Sequence, residues 1–214
     1  MVGSGITAQR LSPGDTGLQL LENASATACA LIAIILAVGA VSGAHLNPVI
    51  TIIGRILRDM STREAAVYCS AQVAGGLAGV VIANLMFSLP AVTLSTQVRS
   101  GSGLWLGEVV ATFGLVLVVL GLARSGRSVV PFAVGLYIGA AYYFTSSTSF
   151  ANPAVTLARS LSNTFSGIEP ASVPAFVLAQ MIGGGLGLIL GRALYPGSAN
   201  ELEDEFAVPP KGRS

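Results

Sequence analysis

His45–Ile56 reads HLNPVITIIGRI. It follows an apolar run long enough to cross a bilayer, yet it opens on Asn47-Pro48 and continues as an apolar stretch too short to cross again. Phe150–Leu161, FANPAVTLARSL, repeats the pattern behind another long apolar run. Proline at the first position of a helix gives up no backbone bond, because that N–H has no intrahelical partner. Asparagine just before it caps a free amide of the first turn and keeps its own side-chain amide as a donor. Each stretch therefore predicts a short helix that starts at Asn-Pro inside the membrane.

The two boxes belong to a duplication. They lie 105 residues apart (47 to 152), and SGAHLNPVIT (42–51) aligns with STSFANPAVT (147–156) through shared Ser, Asn, Pro and Thr. Downstream, AQVAGGLAG (71–79) aligns with AQMIGGGLG (179–187) at a spacing of 108. Full spans are expected at Leu20–Ala40, Ala65–Leu89, Leu104–Ala123, Val129–Ser146 and Val173–Leu194, and re-entrant pieces at Asn47–Ile56 and Asn152–Leu161. The three spans between the boxes, an odd number, make the second copy cross the membrane in the opposite sense. Such inverted repeats place their site at the midplane, where the positive ends of broken helices meet. The fold class is thus an all-α membrane protein: an inverted repeat of five full transmembrane helices, a truncated first helix and two re-entrant half-helices. One domain covers 1–196, with repeat 1 at about 1–89 and repeat 2 at about 104–196, and 197–214 is a polar, acidic tail. The truncation is inferred from register: stepping back 105 residues from Glu108 lands on Gly3, so either part of the first helix is missing from the chain or that helix is unusually short, the first being the expectation.

Composition agrees. Of 214 residues 52% are hydrophobic and 10% charged, the mean hydropathy is +0.74, and this exceeds ordinary soluble domains. A net charge of +1 offers no field for nucleic acid. Cys29 and Cys69 sit in apolar runs and suggest no disulfide framework. A single histidine, His45, excludes a histidine metal cluster, and no nucleophile–base–acid set or phosphate loop points to an enzyme or a cofactor. Arg55, Arg58, Arg63, Arg124, Arg127, Arg192, Lys211 and Arg213 fall on one side of this arrangement, and Arg10, Arg99 and Arg159 on the other. That excess predicts a cytoplasmic C-terminus. Gly75 and Gly79, and Gly183, Gly187 and Gly191, have the spacing that lets helices approach closely. Tyr137, Tyr142 and Tyr143 are open between interface and pore.

The paired boxes, the SGAHLNP lead-in, the Glu108/Thr112 pattern and the AQ…GG helices together resemble the aquaporin, or major intrinsic protein, family over about Val2 to Pro196. SFANPAVTLAR is similar to bacterial members found beside arsenic-resistance genes. The resemblance implies a homotetrameric, multi-pass channel of the cell membrane, a bacterial inner membrane, that passes small neutral solutes and water without a cofactor. It implies pore boxes at Asn47, Pro48, Val49 and Asn152, Pro153, Ala154, with Val49 standing where the family has alanine, either narrowing the midplane or altering packing. By ungapped spacing it implies a filter of Thr27, Ala140, Ser149 and Val155, with valine in place of the family's arginine. That makes the filter wide and arginine-less, suited to polyols or undissociated metalloid acids. His45 corresponds to a vestibule histidine, and Glu108 to a support that accepts backbone N–H bonds from a re-entrant loop. Arg159, one turn beyond Val155, can reach a pore mouth. The competing readings are an orthodox water channel, a nonconducting truncated member, and an inverted-repeat secondary transporter, for which Glu108 is the candidate unpaired intramembrane carboxylate.

Overall fold

The computed structural model describes residues 1–122 and 128–195. Arg124, Arg127, Lys211, Arg213 and the tail 197–214 lie outside these. The described residues form helices joined by turns and extended segments, in the order α1 (Val2–Leu11), α2 (Thr16–Ser42), α3 (Pro48–Ile56), α4 (Thr62–Met86), α5 (Ser102–Leu122), α6 (Val130–Phe144), α7 (Pro153–Arg159) and α8 (Val173–Leu194), the last preceded by a single 3-10 turn at Pro170–Ser172. Local chemistry sets several starts. Asp15 caps α2 by accepting from Leu18 N at 2.9 Å, and Ser61 with Glu64 forms a reciprocal capping box on α4. Gly43, at φ 70°, closes α2 in the left-handed conformation that glycine adopts without strain.

Four helices, α2, α4, α5 and the one ending at Leu194, are long and apolar enough to cross a membrane. The fifth expected span is shorter: α6 has 15 residues, about 22 Å of helix. Its expected C-terminal part is taken by a turn, where Thr148 N donates to Thr145 O. The first helix holds ten residues, and the short elements α3 and α7 have nine and seven.

Hydrogen bonds sort the connections onto two faces. On one, the extended segment 88–101 runs along 160–169, with Thr93 N donating to Leu161 O, Ser95 N to Ser160 O and Glu169 N to Gln97 O. Arg10 joins this face through Phe87 O at 2.6 Å. The opposite face holds the turn after α2, tied to α4 where Tyr68 OH donates to Ser42 O at 3.2 Å.

Large apolar side chains such as Leu36, Ile82, Leu136 and Ile189 point outward, as they must where the solvent is lipid. Inside, small residues let backbones meet. A Cβ on Gly183 would strike the Val109 backbone, and one on Gly187 would lie 2.8 Å from Phe113 O, which sets the α5–α8 contact. Gly135 does the same for α6 against Ala28 O of α2 at 2.8 Å. Gly75 and Gly79 meet nothing within 4 Å, and Gly76 packs instead against Ala158 and Ala154 O of α7. The close-packing role read for Gly75 and Gly79 therefore belongs, within this chain, to their neighbour.

Candidate functional site

The loops leading into the boxes share one unusual backbone. Ala44 and Leu46 in the first copy, and Ser149 and Ala151 in the second, all have left-handed φ between 47° and 49°. These are the positions matched by the repeat. Each costs about 1 kcal/mol for a residue with a Cβ, and such strain persists only where the surroundings enforce it.

What enforces it is a crossed clasp. Asn47 Oδ1 accepts from Val49 N at 3.0 Å, and its Nδ2 donates to Ala151 O at 2.7 Å. Asn152 Oδ1 accepts from Ala154 N at 3.0 Å and Val155 N at 3.3 Å, and its Nδ2 donates to Leu46 O at 2.7 Å. Each asparagine thus caps its own helix and holds the carbonyl that precedes the other's asparagine. The side-chain amides read as free lumen donors each spend one N–H on this clasp.

Behind the clasp a polar relay repeats. Gln72 Nε2 donates to Thr51 Oγ1 at 3.0 Å, and Gln180 Nε2 to Thr156 Oγ1 at 2.7 Å. In the second copy Thr156 donates to Asn152 O at 2.8 Å. Glu108, fully buried, accepts from Phe150 N and Ala151 N, both at 2.9 Å, and from Gln180 Nε2 at 2.6 Å. In the first copy His45 Nδ1 lies 3.2 Å from Thr51 Oγ1.

A cavity of about 120 Å³ lies against both boxes, with room for several water molecules. His45, Asn47, Asn152 and Val155 are among its walls, together with Phe150 and Met1. Val49 is not in the wall. It is 2% exposed and its Cγ1 fills the space left by the absent side chain of Gly184 on α8, so of the two readings of this valine packing is the one realised.

The four small residues read as a filter, Thr27, Ala140, Ser149 and Val155, differ in exposure. Among the described residues only Val155 of that set lines the cavity. Ala140 is exposed, whereas Tyr142, two residues and about 200° round α6, is 1% exposed with its OH 3.3 Å from Thr27 Oγ1. Thr27 and Ser149 are buried but stand off the cavity. Tyr143 is exposed, and Tyr137 OH donates to Ala111 O of α5 at 3.0 Å. Arg159 is 2% exposed, its Nε donates to Ser166 O, and its guanidinium carbon lies 3.5 Å from the Phe150 ring centroid.

Two half-helices pinned together at their starts beside a cavity, among helices long and apolar enough to cross a membrane, mark a channel-type membrane protein. The chain belongs to the major intrinsic protein family, whose family model matches residues 1–149. It is 48% identical over 194 residues to Aquaglyceroporin AqpS of Rhizobium meliloti (strain 1021), an alignment that covers 91% of this chain and 83% of that one. It is 30% identical over 186 residues to the Glycerol uptake facilitator protein of Bacillus subtilis (strain 168), covering 75% and 67%. Aquaporin NIP2-1 of Oryza sativa subsp. japonica is 33% identical over 142 residues, covering 63% of this chain and 47% of its own, so this chain aligns with about half of that plant relative. Members of this family are channels rather than enzymes, and this one is a multi-pass membrane protein.

Proposed function

We propose that the chain is a passive channel for small uncharged solutes, polyols or undissociated metalloid acids, with water as a companion. The observation that carries this is the crossed clasp of Asn47 and Asn152 against the cavity. It offers oriented amide donors to an acceptor oxygen at the midplane and gives a fixed charge no partner. Val155 makes one wall of the site apolar and donor-free, which suits the carbon face of a polyol. The names of two relatives, an aquaglyceroporin and a glycerol uptake facilitator, agree with this cargo. Homotetrameric assembly belongs to the same reading, as does a C-terminus in the cytoplasm of a bacterial inner membrane.

Stopped-flow swelling of reconstituted vesicles tests it. Vesicles holding the protein should take up glycerol and water faster than protein-free vesicles, and equal rates would overturn the proposal. The competing reading is a water-only pore. It predicts faster water flux with glycerol flux at the protein-free rate.

A further inference from the structure

Each box is approached by one residue held between two left-handed neighbours: His45 between Ala44 and Leu46, and Phe150 between Ser149 and Ala151. The repeat pairs these two residues at its spacing of 105 (45 to 150), and both wall the cavity. Left-handed backbone on either side of a single residue is disfavoured wherever a Cβ is present, and such strain is kept where a site depends on it. Here it sets one ring-bearing residue against the cavity from each copy. The two differ in chemistry. His45 brings ring nitrogens, one of them 3.2 Å from Thr51 Oγ1, whereas the phenyl group of Phe150 has neither donor nor acceptor.

Phe150 is also fixed from several sides. Its N donates to Glu108 Oε1 at 2.9 Å. Its ring meets Phe176 in an edge-to-face contact with centroids 5.3 Å apart, and the guanidinium carbons of Arg159 and Arg99 lie 3.5 Å and 5.0 Å from its centroid. Arg99 is anchored in turn, its Nε donating to Gly167 O at 2.7 Å and its Nη2 to Phe165 O at 3.2 Å. Two cations and a second ring on one phenyl group hold it in place. A side chain held in this way does not yield to a passing solute.

We propose that Phe150 is a specificity-determining residue of this channel, forming with Val155 a rigid, donor-free wall that is the apolar counterpart of His45 across the two copies. The assignment rests on the channel reading above. A hydroxyl that faces this wall gives up its water and gains no hydrogen bond in return. The wall therefore favours short solutes that can turn a carbon face to it, and it penalises longer polyols with each further hydroxyl. Selection of this kind comes from the approach to the second box, at a position outside the four small residues Thr27, Ala140, Ser149 and Val155, except for the valine itself.

Vesicles of zwitterionic phospholipid containing wild type, Phe150→Ala, Phe150→Leu or Phe176→Leu separate the wall from the packing behind it. Flux of water, glycerol and xylitol would be followed by light scattering. Phe150→Ala should raise the ratio of xylitol to water flux about tenfold, and Phe150→Leu should raise it by less. Phe176→Leu loosens the same ring contact from a residue that stands off the cavity, so it should melt lower than wild type with its flux ratio unchanged. The assignment is overturned if Phe150→Ala folds and keeps the wild-type ratio. It is overturned equally if Phe176→Leu raises the ratio as much as Phe150→Ala, since loosened packing would then be the cause. If Phe150→Ala does not fold, an unchanged ratio in Phe150→Leu overturns it. Wild-type vesicles no faster than protein-free ones would defeat the channel reading itself, a result distinct from a conducting wild type with unaltered variants.

Discussion

Val49 and Gly184 share one volume: the valine Cγ1 lies where a side chain on Gly184 would begin. Val49→Ala should therefore destabilise through lost packing, by about 1–2 kcal/mol, with pore selectivity unchanged because Val49 is off the cavity wall. Gly184→Ala should cost more, since buried neighbours must move. The double variant should recover part of the loss, which melting in detergent would read as strong non-additivity; strictly additive losses would show that the two residues do not compete for space. At the boxes, Asn47→Ala removes a cap worth about 1 kcal/mol and strands the buried Ala151 carbonyl at about 1–3 kcal/mol. Asn152→Ala does the same to Leu46 O. Both variants should melt lower and conduct less, by similar amounts, and a large effect from one alone would contradict the equivalence of the two copies.

At the scale of elements, α5 and α8 hold the second re-entrant loop through Glu108 and Gln180. Glu108→Ala takes three bonds from one buried position, a loss of about 3 kcal/mol or more, while Glu108→Gln keeps an acceptor for one of the two backbone amides. Thermal stability should fall in the order wild type, Gln, Ala, and an Ala variant as stable as wild type would remove Glu108 from that supporting role. The boxes and their helix starts were legible in the sequence because Asn-Pro capping is local chemistry, whereas the strained backbone at Ala44, Leu46, Ser149 and Ala151 left no mark in residue type, since none of the four is glycine. The filter level on α6 was not legible. Its register against α7 is set by how 145–152 turns, with Thr148, Ser149 and Ala151 all left-handed, and no periodicity reports that. Arg99 gave no signal beyond its charge, since 88–101 is extended and its partners are carbonyls 66 and 68 residues away.

For the whole molecule, the two faces make a labelling prediction. In a background lacking Cys29 and Cys69, a cysteine at Ser100 should react with a membrane-impermeant thiol reagent on intact cells, and one at Arg63 only after permeabilisation. Both sites are exposed, so reversed accessibility would invert the orientation drawn from the arginine distribution. The outward faces explain why no soluble form is expected: Leu36, Ile82, Leu136, Ile189 and many others need lipid or a neighbouring subunit.

The crossed clasp also constrains how the chain is made. The bonds from Asn47 and Asn152 close loops of 104 and 106 residues, so α3 leaves the ribosome long before Ala151 exists to receive its asparagine. At about 5–20 residues per second the wait is roughly 5–20 s. Through that interval the first half-helix sits in the membrane with its strained approach, Ala44 and Leu46, lacking its partner. It is during synthesis, more than in the finished protein, that membrane quality control meets this sequence at its weakest, and damage anywhere up to Asn152 prolongs that exposure.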